Sequence, residues 1–447
     1  MTHASLHPRG VRAPGIAVAL VAGALFTRPA LALQPVTDFL AHARTWNPRN
    51  RAARATTAQR DAEVGISTGS LLPNLSSQAM YTRNQYEVQT SALLQGSSLP
   101  AGFSLPNTVI QPQNQLDANV ILTVPLINIA NWDRRAAAKA TLEGARADEE
   151  DAELTVEKNV LRDYYTLLAD EAVLLSAAKN VEVAEHNVKL ARDRKENGTG
   201  SELDVQRALA DEAKAEQNVT AADLAVTTTR RDLSSLSGLV AEPATSFPED
   251  DLHEEGQPLE AWTGKADAAP SVKSAAAARS EADLGVQAAK TGWLPTVSAS
   301  AEERFTNATA FVGGHSAIYL LQVTAAWKLD TTIVPEIRAQ SAAAAAARAN
   351  EDQARRAAED AVFRDWHQIR ADIESARASR AQVAAAHLAA SLAEDRYENG
   401  VATQLDVLQA RQDAFSADVA RIQADADLAY ARLALRLDAG QLTRDRP

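Results

Sequence analysis

Two aspartates in this chain stand three residues after a hydroxyl-bearing residue at the start of a helical pattern. Asp204 follows Ser201, and Asp406 follows Thr403. At this spacing the hydroxyl accepts a hydrogen bond from the backbone amide of the aspartate, and the carboxylate accepts one from the amide of the capping residue. The two pairs therefore predict two helix starts, each with a carboxylate held at the positive end of the helix dipole.

Other side chains that could carry catalysis or hold a metal are not grouped in the sequence. The eight histidines include no pair at a metal-ligand spacing, and the chain has no cysteine. The glycines at 198 and 200 lack the third glycine and the lysine of a phosphate-binding loop, and no G-x-S-x-G motif is present. The net charge of -13 argues against a nucleic-acid partner. We therefore expect a protein that is not an enzyme and that has no cofactor and no metal site.

The two aspartates belong to a stretch of sequence that occurs twice. Residues 190–208 read LARDRKENGTGSELDVQRA and residues 392–410 read LAEDRYENGVATQLDVLQA, so adding 202 maps one copy onto the other. In both copies an Asn-Gly pair after a helical pattern predicts a helix stop, with two residues between it and the predicted cap. Each copy is therefore expected to be a tight turn between antiparallel helices of a duplicated domain. The turn residues are Asn197, Gly198 and Ser201 in the first copy and Asn399, Gly400 and Thr403 in the second.

Long helices must position these turns. Stripes of apolar residues at seven-residue spacing, such as Leu154, Leu161 and Leu168, with Leu175 next in the row, predict coiled-coil packing. The two longest helices would each span roughly 100 Å. Six helices are expected, at about residues 35–70, 132–197, 203–236, 271–291, 335–399 and 405–437.

Two pairs of strands precede the long helices. Four strands are expected, at residues 75–83, 116–126, 297–306 and 319–329, with a polar loop over 87–114. In the last strand an apolar stripe from Tyr319 to Leu329 includes Tyr319 and Trp327 as candidates for an aromatic girdle. The stretch from Tyr319 to Trp327 spans roughly 26 Å, which is typical of the apolar band of an outer-membrane strand. A strand of a soluble sheet is the alternative.

The N-terminus predicts export. Arg9 and Arg12, the apolar run 16–26 and the Ala-Leu-Ala at 30–32 are typical of a secretory signal. No later stretch has 18 apolar residues in a row, so no transmembrane helix is expected. The expected organisation is a signal segment 1–32, a first repeat 33–239, an acidic linker 240–270 with little core of its own, a second repeat 271–440 and a tail 441–447.

Four strands cannot close a barrel in a membrane, where open sheet edges are not tolerated. Several chains must therefore share one barrel if these strands are membranous, and three chains would give twelve strands.

The whole mature chain resembles the TolC-like outer membrane efflux protein family. The resemblance is carried by Asn47-Pro48, by Leu72-Pro73 with its echo Leu294-Pro295, and above all by the two turn sequences. It implies a mainly α protein with a membrane β-barrel contribution, in which a duplicated β-hairpin and long α-helical hairpin form, as a homotrimer, a twelve-stranded barrel and a periplasmic α-helical tunnel. It also implies an exit duct in outer-membrane lipid, with a large periplasmic portion. Its partners in a tripartite efflux or type I secretion system would be a periplasmic adaptor and an inner-membrane transporter, docked at the hairpin tips.

The resemblance also implies roles for residues at the turns. Asp406 matches an aspartate that lines the narrowest ring of the tunnel, and Gln409 stands where the family has a second acid. Tyr397 and Asp204 match a hydrogen-bonded pair that closes the tunnel. Ala402 stands where the family has an arginine of another closing contact. Both aspartates also have a simpler interpretation as helix caps, and the two roles are compatible.

A soluble periplasmic coiled-coil scaffold or adaptor is the alternative function. Adaptor proteins also have long helical hairpins, but only one, flanked by small β-domains. This chain instead has two predicted hairpins and strands with apolar stripes of bilayer length, which favours the duct.

Overall fold

The computed structural model describes residues 33–93, 108–244, 247, 250–309, 314–328 and 331–440. The predicted signal segment, Leu329 of the second apolar stripe and the tail 441–447 lie outside these residues. The described chain alternates twice between half-length helices, antiparallel strands and a long helical hairpin. Its helices are α1 Val36–Trp46, α2 Pro48–Gly69, α3 Thr90–Leu93, α4 Ile129–Glu196, α5 Glu202–Ser237, α6 Leu259–Thr263, α7 Pro270–Thr291, α8 Ile333–Glu398 and α9 Gln404–Asp438.

The helix predicted over 35–70 is two helices, α1 and α2. Asn47 lies between them with an extended backbone, and its side chain accepts a hydrogen bond from the amide of Arg49 at 2.9 Å. Pro48 occupies the first helical position, where its missing amide hydrogen leaves no bond unmade. The Asn-Pro pair therefore ends one helix and begins the next.

The long helices α4 and α8 have shorter helices stacked along them. Helices α2 and α5 pack along successive halves of α4, and α7 and α9 do the same along α8. Side chains at equivalent positions of the two repeats form the core, with Val160 and Val362 both 0% exposed and Ile369 1% exposed. The predicted leucine stripe is buried from residue 154 to 168, but Leu175 is 59% exposed, so the stripe leaves the core at that point.

The segment between the repeats contributes to the core, contrary to the prediction for residues 240–270. Trp262 in α6 is 4% exposed and packs in the same cluster as Val362 and Ile369. Ala266 and Ala269 of the same segment are buried in that cluster as well. Part of the acidic charge is also paired, because the Arg432 guanidinium in α9 binds the carboxylates of Asp250 and Glu255.

Four strands form one antiparallel sheet, in the order β1, β4, β5, β6. Their bounds are β1 Asn74–Arg83, β4 Asn114–Ile127, β5 Thr296–Thr306 and β6 Ala317–Ala326. The polar loop predicted over 87–114 contains a small ribbon where the structure describes it, formed by β2 Val88–Gln89 and β3 Val109–Gln111. Strands β1 and β6 are the two outer strands of the larger sheet, so each has one unpaired edge within the described chain.

The two faces of the sheet differ in polarity. One row across the sheet consists of Leu75, Leu122, Ala301 and Leu321, which are partners in consecutive strand pairs. On the opposite face Arg304 donates to the carboxylate of Asp117 at 2.9 Å. The strand alternation predicted from the sequence therefore separates an apolar face from a polar one.

Candidate functional site: the two hairpin tips

The first tip is a tight turn between α4 and α5. Gly198 has φ +72°, a conformation that side chains with a Cβ atom rarely adopt, and the amide of Thr199 donates to the carbonyl of Arg194 at 2.9 Å. Ser201 then caps α5. Its hydroxyl accepts from the amide of Asp204 at 3.2 Å, and the Asp204 carboxylate accepts from the amide of Ser201 at 3.1 Å.

The second tip repeats this geometry between α8 and α9. Gly400 has φ +75°, and the amide of Val401 donates to the carbonyl of Arg396 at 2.8 Å. The Asp406 carboxylate accepts from the amide of Thr403 at 2.8 Å and from its hydroxyl at 2.7 Å. Asn197 and Asn399 act alike, because each side-chain amide donates to a carbonyl one turn earlier in its helix. The predicted turns and capping boxes are thus confirmed.

The Asp406 carboxylate is exposed and negatively charged at neutral pH. The hydroxyl of Thr403, followed by its backbone amide, lowers the pKa of Asp406 below the ordinary value for an aspartate. Gln409 lies one turn further along α9 and is also exposed. The carboxylate and the amide border a groove of about 460 Å³ between α8 and α9, whose other lining residues include Ala385, Ala386 and Ala389.

One arginine joins the two tips of the chain. The Arg194 guanidinium carbon lies 4.3 Å from the centre of the Tyr397 ring, and Arg194 Nη1 donates to the Tyr397 carbonyl oxygen at 2.6 Å. Burial raises the pKa of Tyr397, while the positive charge of Arg194 opposes that effect and the negative charge of Asp204 adds to it. Among the described residues no hydrogen bond joins the Tyr397 hydroxyl to Asp204, whose carboxylate instead caps α5. The pairing of Tyr397 with Asp204 stays a prediction.

Sequence reasoning did not single out Arg194 or Gln404. Gln404, the first residue of α9, is 2% exposed, and neither polar atom of its side chain has a hydrogen-bond partner in the described chain. A comparison of the two copies of the repeat could have pointed to both residues. Arg194 has an identical counterpart in Arg396, whereas Tyr397 and Gln404 replace charged residues of the first copy.

The aromatic candidates of the sheet lie at opposite ends of β6. Tyr319 is 74% exposed near the start of the strand, and Trp327, one residue beyond its end, is 65% exposed. The indole nitrogen of Trp327 donates to the carbonyl oxygen of Trp293 at 2.8 Å, which fixes the ring beside the start of β5. Between them Leu321 and Val323 are more than 70% exposed, so β6 presents an uncovered apolar stripe.

The family model for outer membrane efflux proteins matches residues 40–239 and 266–441, which is most of the chain. The chain belongs to the outer membrane efflux protein family. A relative of known name is the outer membrane efflux protein BepC of Brucella suis, with 27% identity over 277 residues. That alignment covers 60% of this chain and 59% of BepC, less than two thirds of the relative's length.

Solved outer-membrane channels share the fold of this chain. The channel OprN has a TM-score of 0.77 at 19% identity, over 91% of this chain and 90% of OprN. The CmeC channel of Campylobacter jejuni has a TM-score of 0.77 at 16% identity, over 93% of this chain and 88% of CmeC.

The chain is therefore located in the outer membrane, as predicted, and the family does not favour the soluble adaptor alternative. Within the residues that the structure describes, no helix combines the length and the apolar character that a bilayer span requires. Membership of this family fits a role other than catalysis. In the same residues no three His, Asp or Glu side chains are arranged to hold a metal ion.

Proposed function

We propose that the chain is one third of a passive, trimeric exit duct in the outer membrane. The observation that carries this proposal is a sheet with one apolar face and two unpaired edges, in a chain of the efflux family. An unpaired edge exposes backbone donors and acceptors that lipid cannot satisfy, so such a sheet needs partner strands.

Three copies of the sheet would remove every edge. Each of the three strand pairs in the sheet is antiparallel, so β6 of one copy can meet β1 of the next copy in the same antiparallel sense. Three sheets of four strands give twelve, above the minimum of about eight for a membrane barrel. The row of Leu75, Leu122, Ala301 and Leu321 would face lipid, with Tyr319 and Trp327 as girdle aromatics, and the polar face would line the lumen.

The helical part also has uncovered apolar sides that a second copy would cover. Towards the tips the packing order is α5, α4, α9, α8, so α5 and α8 are the outer helices. Leu203 and Leu224 on α5 and Leu388 and Leu392 on α8 are each more than 50% exposed. Packing α8 of one chain against α5 of the next would bury these leucines and close the helices into a tunnel roughly 100 Å long.

The six tips of the trimer would form the periplasmic gate. Three Asp406 carboxylates would ring the entrance and favour cations, with Gln409 providing a neutral ring where relatives have a second acid. Asp204 and Tyr397 are further gate candidates. The turns would also be the docking surface of a periplasmic adaptor and, through it, an inner-membrane transporter, with Asn197, Gly198, Ser201, Asn399, Gly400 and Thr403 as contacts.

Fractionation and conductance test the proposed function. The protein should remain in the outer membrane after a high-salt wash and, once purified, should give single-channel currents in a planar lipid bilayer. Asp406→Asn should reduce the selectivity for cations, because the ring loses its charge. Release by salt, or the absence of any conductance, would contradict the duct. An unchanged selectivity would remove Asp406 from the gate.

A further inference from the structure

Positions 397 and 404 face each other across the turn of the second tip. The first tip, which has the same backbone, shows this. Their counterparts 202 residues earlier are Lys195 and Glu202, whose side chains form an ion pair across the turn. These two side chains are 50% and 58% exposed, so a tip with this backbone leaves that face open by itself. Tyr397 and Gln404 are only 8% and 2% exposed. Side chains from outside the α8–α9 hairpin must therefore shield Tyr397 and Gln404 from solvent.

Arg194 of the first hairpin provides a contact on that covered face. Its guanidinium stacks on the Tyr397 ring and also donates to the Tyr397 carbonyl oxygen. A cation over an aromatic face is attracted more strongly when both are partly desolvated, as Tyr397 is. A planar guanidinium can stack and donate at once, which the ammonium of a lysine does less well.

The buried side chain of Gln404 has the opposite effect to the Arg194 contact. Its side-chain nitrogen and oxygen are enclosed and have no hydrogen-bond partner in the part of the chain that the structure describes. A buried amide without partners destabilises the packed state relative to a state in which water reaches it. The Arg194 contact thus stabilises the packed state of this face, and the buried Gln404 amide destabilises it. Such a balance is expected where two tips have to separate.

We propose that Arg194 is the positioning residue of the gate: it clamps the second tip of a chain to the first tip of the same chain through the ring of Tyr397. The contacts on which the clamp rests are those of the guanidinium with the ring face and with the backbone carbonyl. This inference rests on the proposed function for the pore, but the clamp itself is a property of one chain.

Conductance of four variants tests the clamp. Arg194→Met should raise the open probability in planar bilayers by about tenfold or more, since each of the three chains loses its clamp. Arg194→Lys should recover part of the closure. Tyr397→Leu should open the pore as Arg194→Met does, whereas Tyr397→Phe should leave it nearly closed because the ring remains. The matched control is Arg192→Met, which removes the same charge from an exposed side chain two residues earlier.

Hydrogen exchange of the whole protein provides a second measurement that does not need a pore. Amides of residues 397–407 should exchange faster in Arg194→Met than in the wild type or in Arg192→Met. Gln404→Met, which replaces the unpartnered amide by an apolar side chain of similar length, should slow their exchange.

The outcomes separate the clamp from the duct. Opening by Tyr397→Phe as large as that by Tyr397→Leu would overturn the clamp in favour of a link through the hydroxyl. Unchanged exchange in Arg194→Met would overturn it whether or not the protein conducts. A wild-type protein without conductance, but with faster exchange in Arg194→Met, would reject the duct and keep the clamp.

Discussion

The first tip of the chain keeps Lys195 and Glu202 in solvent, whereas the second tip keeps Tyr397 and Gln404 out of it. Both tips have the same left-handed glycine and the same capping box, so the turn itself does not determine this difference. At the second tip, Arg194 of the neighbouring hairpin lies over the ring of Tyr397. In a ring of six alternating tips, Arg194 would therefore clamp the two tips of each chain through Tyr397, whereas the first tip would present the ion pair of Lys195 and Glu202.

The two repeats also differ at a half-buried acid near the middle of the long helices, where we expect the largest effect. Burial, followed by hydrogen bonding to Asp438, raises the pKa of Asp365 to about 8. Burial, followed by the charge of Asp232, raises the pKa of its counterpart Asp163 to about 6. In the unfolded chain both groups would titrate near 4. The folded state therefore retains protons that the unfolded state releases, and stability falls as pH rises from about 4 to each folded pKa.

Thermal unfolding as a function of pH measures this difference. Asp365→Asn should match the wild type near pH 4 and exceed its stability above pH 8, by on the order of a few kcal/mol after allowance for partial exposure. Asp163→Asn should reach its full, smaller advantage by about pH 6. An Asp365→Asn protein that is no more stable relative to the wild type at pH 8.5 than at pH 4 would contradict the burial of this acid.

The glycines that end the return helices provide a matched pair of stability tests. Gly238 and Gly440 have φ +75° and +74°. A Cβ atom at Gly238 would lie 2.6 Å from the ring of Trp46, whereas one at Gly440 would lie 3.6 Å from its nearest neighbour, in Ala268. Gly440→Ala should cost about 1 kcal/mol for its backbone alone, and Gly238→Ala about 2 kcal/mol or more because Trp46 must move. If the two variants lose equal amounts of unfolding free energy, the ring of Trp46 moves aside without a measurable cost.

Transferring the second tip's face to the first is the sharpest test of the comparison between tips. The double variant Lys195→Tyr with Glu202→Gln places a tyrosine ring on the first tip. Arg396 of the next chain, the counterpart of Arg194, would stack on this ring as Arg194 stacks on Tyr397 within its own chain. The open probability in planar bilayers should fall by about tenfold, which corresponds to about 1.4 kcal/mol. The control is Lys195→Met with Glu202→Gln, which removes the ion pair without supplying a ring. Equal currents from the two double variants would mean that neighbouring chains do not meet as the tips within one chain do.

Local chemistry made much of this fold predictable. The stops at Gly198 and Gly400 and the caps at Ser201 and Thr403 depend on residues within one turn of each other, so the sequence contains all the information they need. Contacts between distant segments were not predictable in the same way. The stacking of Arg194 on Tyr397 joins residues 203 positions apart. The burial of Trp262 depends on α8, a helix whose path the composition of residues 240–270 does not reveal.

Single-particle cryo-electron microscopy of the purified protein in lipid nanodiscs tests the central claim most directly. The account predicts three chains around one axis, with β1 of each chain paired to β6 of the next and Arg194 stacked on Tyr397 within each chain. Single chains with free β1 and β6 edges, or an assembly in which these edges lie apart, would contradict it.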